Sequence, residues 1–322
     1  MNKDIEHIQT VLQHARHQVG KVIIGQKEAI DRSLIAIFTG GHVLLEGTPG
    51  VAKTLMVRTI AQLLGCDFDR VQFTPDIAPD DIIGQKIFNP STNDFTLVKG
   101  PVFTTFLLGD EINRAPALTQ SAMLQAMQEH QVTIDRTTYK LDENFTVFAT
   151  QNPTDYEGTF SLPEPQLDRF LFKISMDYPT AKEEYRIGEM TISPKTPEQM
   201  VESGVIQPIL TSERLAALRK ALIGVTMPTE LISYAVAITQ RSRSHNAIKL
   251  GAGPRATQAL LLSSRAKATL EGRDYVTPED VQAMAMACME HRIILLPKFV
   301  EEGLTAEETI KHILQSVNVP RS

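Results

Sequence analysis

The chain has 322 residues, 42 % of them apolar, and its 32 Lys and Arg against 38 Asp and Glu leave a net charge of −6. At roughly 150 residues per domain this is about two domains, each with enough apolar residues for its own core, which excludes a disordered chain. Residues 1–180 carry net −7 and the remainder +1, so neither part has the basic stripe of a protein built to neutralise nucleic-acid phosphates.

In chain order, Ile5, Ile8, Val11 and Leu12 fall at helical spacing and predict an amphipathic N-terminal helix, with His7, His14 and His17 on its solvated side. The charged MNKDIEHIQT opening has no secretory signal, and the most apolar stretch, 34–45, is short of the roughly 20 residues that span a bilayer. A cytoplasmic protein without membrane insertion is therefore expected. Cys66 and Cys288 stand far apart with no CxxC or Cys/His cluster, which argues against a disulfide scaffold or structural zinc.

From Gly40 onward, short apolar runs alternate with helical stretches. Candidate strands are 42–46, 68–73, 103–108, 146–150 and 170–175, and strands interleaved with helices predict a parallel sheet in an αβα sandwich. Two interruptions exceed a minimal unit. Residues 74–100 are rich in Pro, Gly, Asn and Asp around a hairpin at 86–98, and 131–141 reads as a second hairpin turning at Asp135-Arg136. After Thr180 strand signals stop. Residues 191–210, with three prolines, read as a loop. Helices follow from Thr211, Pro228, Gly253-Pro254, Thr277-Pro278 and the Thr305/Glu308 capping box, which makes 181–322 a small all-α domain after a core of 1–180.

The sharpest motif is Gly47-Thr48-Pro49-Gly50-Val51-Ala52-Lys53-Thr54, between a strand and a helix. A turn with little side chain lets backbone N–H groups converge on phosphates, with the helix dipole behind them. Lys53 is expected to reach the β- and γ-phosphates and Thr54 to ligate Mg²⁺. Ala52 replaces the glycine of the general GxxxxGK[ST] pattern, which predicts helical backbone angles there. About 60 residues on, 106–111 ends an apolar strand in Asp110-Glu111, an expected Mg²⁺ carboxylate followed by a base that polarises water. Asn152, within Gln151-Asn152-Pro153, stands just past another buried strand. Arg169 precedes the last strand, and Arg255 opens a helix whose dipole it opposes, so a phosphate across a domain cleft is expected to favour it.

The whole chain resembles the MoxR family of AAA+ ATPases. GTPGVAKT is similar to that family's Walker A sequence, GDEINRAPALTQSAMLQAMQEHQVT to its Walker B and following helix, ATQNP to its sensor 1, and GTFSLPEPQLDRFLF to its arginine-finger segment. Val22-Ile23-Ile24-Gly25-Gln26 resembles its adenine-side segment, which adds Gly25 and Gln26 to the site. The resemblance implies a five-stranded P-loop core with a helical lid, a hexameric ring, ATP and Mg²⁺ between core and lid, a helix-2 insert at 74–100 and a pre-sensor hairpin at 131–141. It also implies that Lys53, Glu111, Asn152 and Arg255 bind or sense nucleotide, while Arg169 acts on a neighbour's γ-phosphate, with Arg114 as the alternative finger.

Partners implied are client protein complexes that the motor remodels or matures, among them proteins bearing a von Willebrand factor A domain. A metal-chelatase-type motor subunit and a slowly cycling nucleotide-gated scaffold are the alternatives. A nucleic-acid motor is disfavoured, since 74–100 holds Lys86 and Lys99 against Asp76, Asp80, Asp81 and Asp94.

Overall fold

A computed structural model gives the structure over residues 3–320, with 92, 153–159, 161 and 205 excepted. Pro153, and Gly158, Thr159 and Ser161 of the arginine-finger segment, therefore lie outside the described residues. The chain begins with α1 (Lys3–Val22) and α2 (Lys27–Thr39), then β1 (Val43–Gly47), α3 (Lys53–Leu63), β2 (Phe68–Gln72) and α4 (Pro79–Ile83). The hairpin β3 (Gly84–Asn89) and β4 (Asp94–Lys99) leads to β5 (Phe106–Asp110) and α5 (Ala117–Glu129). A second hairpin, β6 (Gln131–Ile134) and β7 (Thr137–Lys140), precedes β8 (Thr146–Gln151), α6 (Glu164–Leu167) and β9 (Phe172–Met176).

The remainder is mostly helical: α7 (Ala181–Thr191), α8 (Pro197–Glu202), α9 (Ser212–Ala221), α10 (Thr229–Arg243), α11 (Pro254–Leu270), α12 (Pro278–Met289), α13 (Pro297–Glu301) and α14 (Ala306–Ser316). A small antiparallel pair, β10 (Ile248–Leu250) with β11 (Ile294–Leu295), interrupts the helices and corrects the all-α expectation for 181–322.

The central sheet has five parallel strands in the order β2-β5-β8-β1-β9, as expected for an αβα P-loop fold. Alternation along each strand feeds two separate cores. Val43, Leu45, Phe106, Leu108, Phe148, Phe172 and Ile174 face α1, α2, α3 and the C-terminal helices, while Leu44, Leu107, Val147 and Ala149 face α5 and both hairpins. Burial on both sides explains why these strands read as unbroken apolar runs.

Two sequence expectations shift in register. The 103–108 run starts its strand only at Phe106, because Pro101–Phe103 is a turn of 3₁₀ helix. The 191–210 segment contains α8, since Pro197 sits in the first helical turn, where its missing N–H has no partner to lose, behind a Thr196/Gln199 capping box.

Both hairpins form. Asp135 and Arg136 each take positive φ, 46° and 66°, as a two-residue hairpin turn of the I′ type requires. The base of the β3–β4 hairpin is pinched by two glycines. A Cβ on Gly84 would lie 2.3 Å from the Val98 carbonyl oxygen, and one on Gly100 would lie 2.3 Å from that of Ile82. A glycine such as Gly109, inside β5, would ordinarily loosen a strand end. Its smallness instead makes room for Phe73, whose buried ring would stand 2.9 Å from an added Cβ.

Candidate functional site

The turn after β1 delivers Lys53 and Thr54 to the first turn of α3. Ala52, immediately before them, is left-handed at φ 65° and ψ 27°, contrary to the helical angles expected of an alanine. The reason is geometric: the chain must reverse there to aim the loop amides inward, and the residue type yields to the loop. Gly50, at φ 87°, has open space where a Cβ would stand. Ala52 at the N-cap offers no side-chain acceptor to the first amides of α3. Lys53 Nζ donates to the Gly47 carbonyl at 2.6 Å. Burial lowers the Lys53 pKa, opposed by the nearby Asp110, Glu111 and Glu46 carboxylates.

Beside the loop stand the ends of β5, β8 and β2. Thr150 Oγ1 donates to Asp110 Oδ1 at 2.6 Å and accepts the Glu111 backbone N–H at 2.9 Å, so one hydroxyl fixes both acids. Asp110 Oδ2 receives Arg70 Nη2 at 2.7 Å and Nε at 3.1 Å. Glu111, itself left-handed at φ 58°, accepts from Gln72 Nε2 at 2.9 Å and has Arg114 Nε 2.9 Å from the same oxygen.

Thr150, Arg70 and Gln72 were missed by the sequence reading. Alternation in 68–73 was the available signal, since it puts Arg70 and Gln72 on one face of β2, with Gln72 in register with Asp110.

These groups open onto a cleft of about 630 Å³, a size suited to a ligand larger than a lone phosphate. Pro49 to Thr54, Asp110, Glu111, Asn152 and Gln26 line it, and Ile23, Ile24, Ile187 and Met190 give it apolar wall. Gln26 is held by donating to the Asp177 carbonyl at 2.8 Å. Gly47 and Thr48 lie behind the loop, outside the lining. Gly25 faces a neighbouring cavity, with Glu183 in contact. Residues of α7 and α8 fold over the cleft, so its wall on that side comes from 187–198.

Arg255 is not at this cleft. Its helix, α11, packs on α2 and α1, so the N-terminal end emerges in a second cavity of about 260 Å³, with Arg255 Nη1 3.7 Å from Asp168 Oδ2. Arg169 lines the same cavity and donates from Nη1 to the Leu124 carbonyl at 2.8 Å. Arg255 was expected to bind or sense nucleotide, and within one chain the fold keeps it apart from the cleft that Lys53 and Thr54 line. Arg114, the alternative finger, sits against its own chain's Glu111.

Comparisons with known proteins agree with this architecture. The ATPase family associated with various cellular activities (AAA) matches residues 42–172, and the AAA lid domain matches 240–313. Chaperone MoxR1 of Mycobacterium tuberculosis is 39% identical over 96% of this chain and 82% of its own. The chain belongs to the MoxR family of AAA+ ATPases. Another relative, YeaC of Bacillus subtilis, itself uncharacterized, is 41% identical over 98% of this chain and 97% of its own. A crystal structure of a candidate ATPase from Cytophaga hutchinsonii superposes with a TM-score of 0.91 at 40% identity, covering 99% of this chain and 98% of that one.

The MoxR-type cleft fits Mg²⁺ by its donor chemistry. Thr54 offers a hydroxyl and Asp110 a carboxylate, both hard oxygen donors, and no cluster of three His, Cys, Asp or Glu able to hold a metal occurs among the described residues. Such a set suits an ion that keeps most of its ligands from phosphate and water rather than one caged by protein. Among the described residues, no helix is long and apolar enough to cross a membrane.

Proposed function

We propose that the protein hydrolyses ATP and uses the cycle to remodel or mature client protein complexes, as a ring of identical subunits. The observation that carries the reading is the convergence of Lys53, Thr54, Asp110, Glu111 and Asn152 on one cleft with an apolar wall for a base. The loop amides and Lys53 bind the phosphates of ATP, and the apolar side chains of 23, 24, 187 and 190 take the adenine beside Gln26. Thr54 and Asp110 would hold Mg²⁺, which would supply neutralisation of phosphate charge. Glu111 accepts a proton from the attacking water, and Asn152 orients that water against the γ-phosphate.

Arg169 and Arg255 stand in a separate cavity, which supports their action on the cleft of an adjoining copy, with a hexamer as the assembly. A chaperone-like role is supported by the name of the mycobacterial relative, and a von Willebrand factor A domain remains the proposed feature of clients. Two features disfavour a nucleic-acid client: the acidic balance of residues 74–100, and the four large apolar side chains the β3–β4 hairpin exposes, Ile87, Phe88, Phe95 and Val98.

Phosphate release tests both halves of the reading. Glu111→Gln is expected to bind ATP and lose on the order of 10²- to 10⁴-fold in turnover. Arg169→Ala is expected to lose on the order of 10³- to 10⁵-fold, and mixing it with Glu111→Gln subunits should restore part of the rate if the arginine acts across copies. Unchanged turnover in either variant removes that residue's role.

A further inference from the structure

Both oxygens of Asp110 are already engaged. Oδ1 is bonded by Thr150, and Oδ2 takes two N–H groups of Arg70. Asp110 is mostly buried, so an ionised carboxylate there needs a cation, and the guanidinium supplies it. Arg70 Nη2 also donates to Gln72 Oε1 at 2.8 Å, which leaves the Gln72 amide nitrogen aimed at Glu111 Oε2 at 2.9 Å. One arginine on an edge strand thus touches the metal carboxylate directly and the proposed base through a single amide.

Among the described residues, Asp110 and Gln72 are the partners that hold the Arg70 side chain. Its side chain is about half exposed, 47 %, and its strand is the sheet edge, so an outward rotamer is open to it. Hydrogen bonds from Nε at 3.1 Å and Nη2 at 2.7 Å to one oxygen mark a specific side-on guanidinium pairing rather than a lysine-like point-charge contact.

We infer that Arg70 is a latch that stands in for the divalent cation: it neutralises Asp110 until a metal–nucleotide complex displaces it. The inference rests on the ATP-binding reading above. Arg70 is a positioning residue, and its pairing with Asp110 and the binding of the metal there are mutually exclusive. The consequence is reciprocal: the latch raises the Mg²⁺ concentration needed for tight nucleotide binding, and bound metal turns the guanidinium away from Asp110.

The test is the binding of a fluorescent N-methylanthraniloyl ATP analogue, titrated with MgCl₂ at fixed nucleotide, in the intact protein and in Arg70→Ala, Arg70→Gln and Arg70→Lys. Loss of the guanidinium should lower the half-saturating Mg²⁺ about fivefold in the Ala and Gln variants, as expected for removing one competing surface ion pair, with partial reversal in Arg70→Lys. Binding of Mn²⁺ with ADP, read by electron paramagnetic resonance, should tighten by the same factor. An unchanged or raised half-saturation, with nucleotide still bound, overturns the latch and makes Arg70 a phosphate ligand or a structural residue. Failure of the parent protein to bind the analogue at any Mg²⁺ concentration overturns the ATP reading instead. Arg70→Gln keeps the aliphatic stem and polarity of an exposed edge position, so it carries the test should Arg70→Ala fold poorly.

Discussion

Ala52 holds a left-handed conformation that costs an L-residue roughly 1–2 kcal/mol. Glycine at this position removes that strain and loses about 0.5–1 kcal/mol more chain entropy on folding. Ala52→Gly is therefore expected to raise stability by about 0.5–1 kcal/mol in urea unfolding, and a loss of stability would deny the strained geometry. The chemistry of this loop was legible in residue types, because a phosphate-binding turn needs glycine, lysine and a hydroxyl at fixed spacing. Its backbone angles were not, since tertiary placement of α3 overrides what alanine prefers. The same limit hid Arg70 and Gln72. Polar residues on an edge strand ordinarily meet only solvent, and their partners on β5 are 38 or more positions away in sequence, visible only once the strands are paired.

At the scale of elements, His42 joins three of them just ahead of β1. Its Nε2 lies 2.9 Å from the Met127 carbonyl at the end of α5, and its Nδ1 accepts the Val147 N–H of β8 at 3.0 Å. Accepting from a backbone N–H requires a neutral ring, and burial pushes the pKa from 6.5 to about 4, with weaker contributions from Arg219 and His130. The unfolded chain takes up a proton below about pH 6.5 while the folded one does not until about pH 4, so stability falls with pH across that window. The loss from His42 alone is expected to be about 2 kcal/mol between pH 7.5 and pH 5, read from unfolding midpoints. His291, buried with Nε2 on the Phe170 carbonyl, shifts in the same direction. A flat profile from pH 7.5 to 5 would contradict the neutral-ring assignment. Element order and the two hairpins were readable in the sequence because apolar runs and turn residues report local geometry. The helix at Pro197 and the β10–β11 pair were not: one hides behind prolines, and the other is made by residues 44 positions or more apart.

Across the whole molecule, one apolar cluster runs without a break from α3 and the sheet through α1 and α2 into α9 to α12 and α14. Arg292 reinforces the join: almost fully buried, it bonds Asp168 at 2.7 Å and the carbonyls of Phe170 and Leu171 at 2.6 and 3.1 Å. Core and C-terminal helices should therefore unfold in one calorimetric transition. Arg292→Ala, which strands those carbonyls, is expected to cost about 3 kcal/mol and to separate the transition into two. Two transitions in the parent protein would refute the continuous core. The β3–β4 hairpin belongs to the other cluster, and its root is set by the Gly84–Gly100 pinch, where backbone meets backbone and no side chain takes part. The hairpin is thus grafted in the way an antibody loop is grafted on its framework: its tip can be rewritten residue by residue without disturbing the sheet beneath.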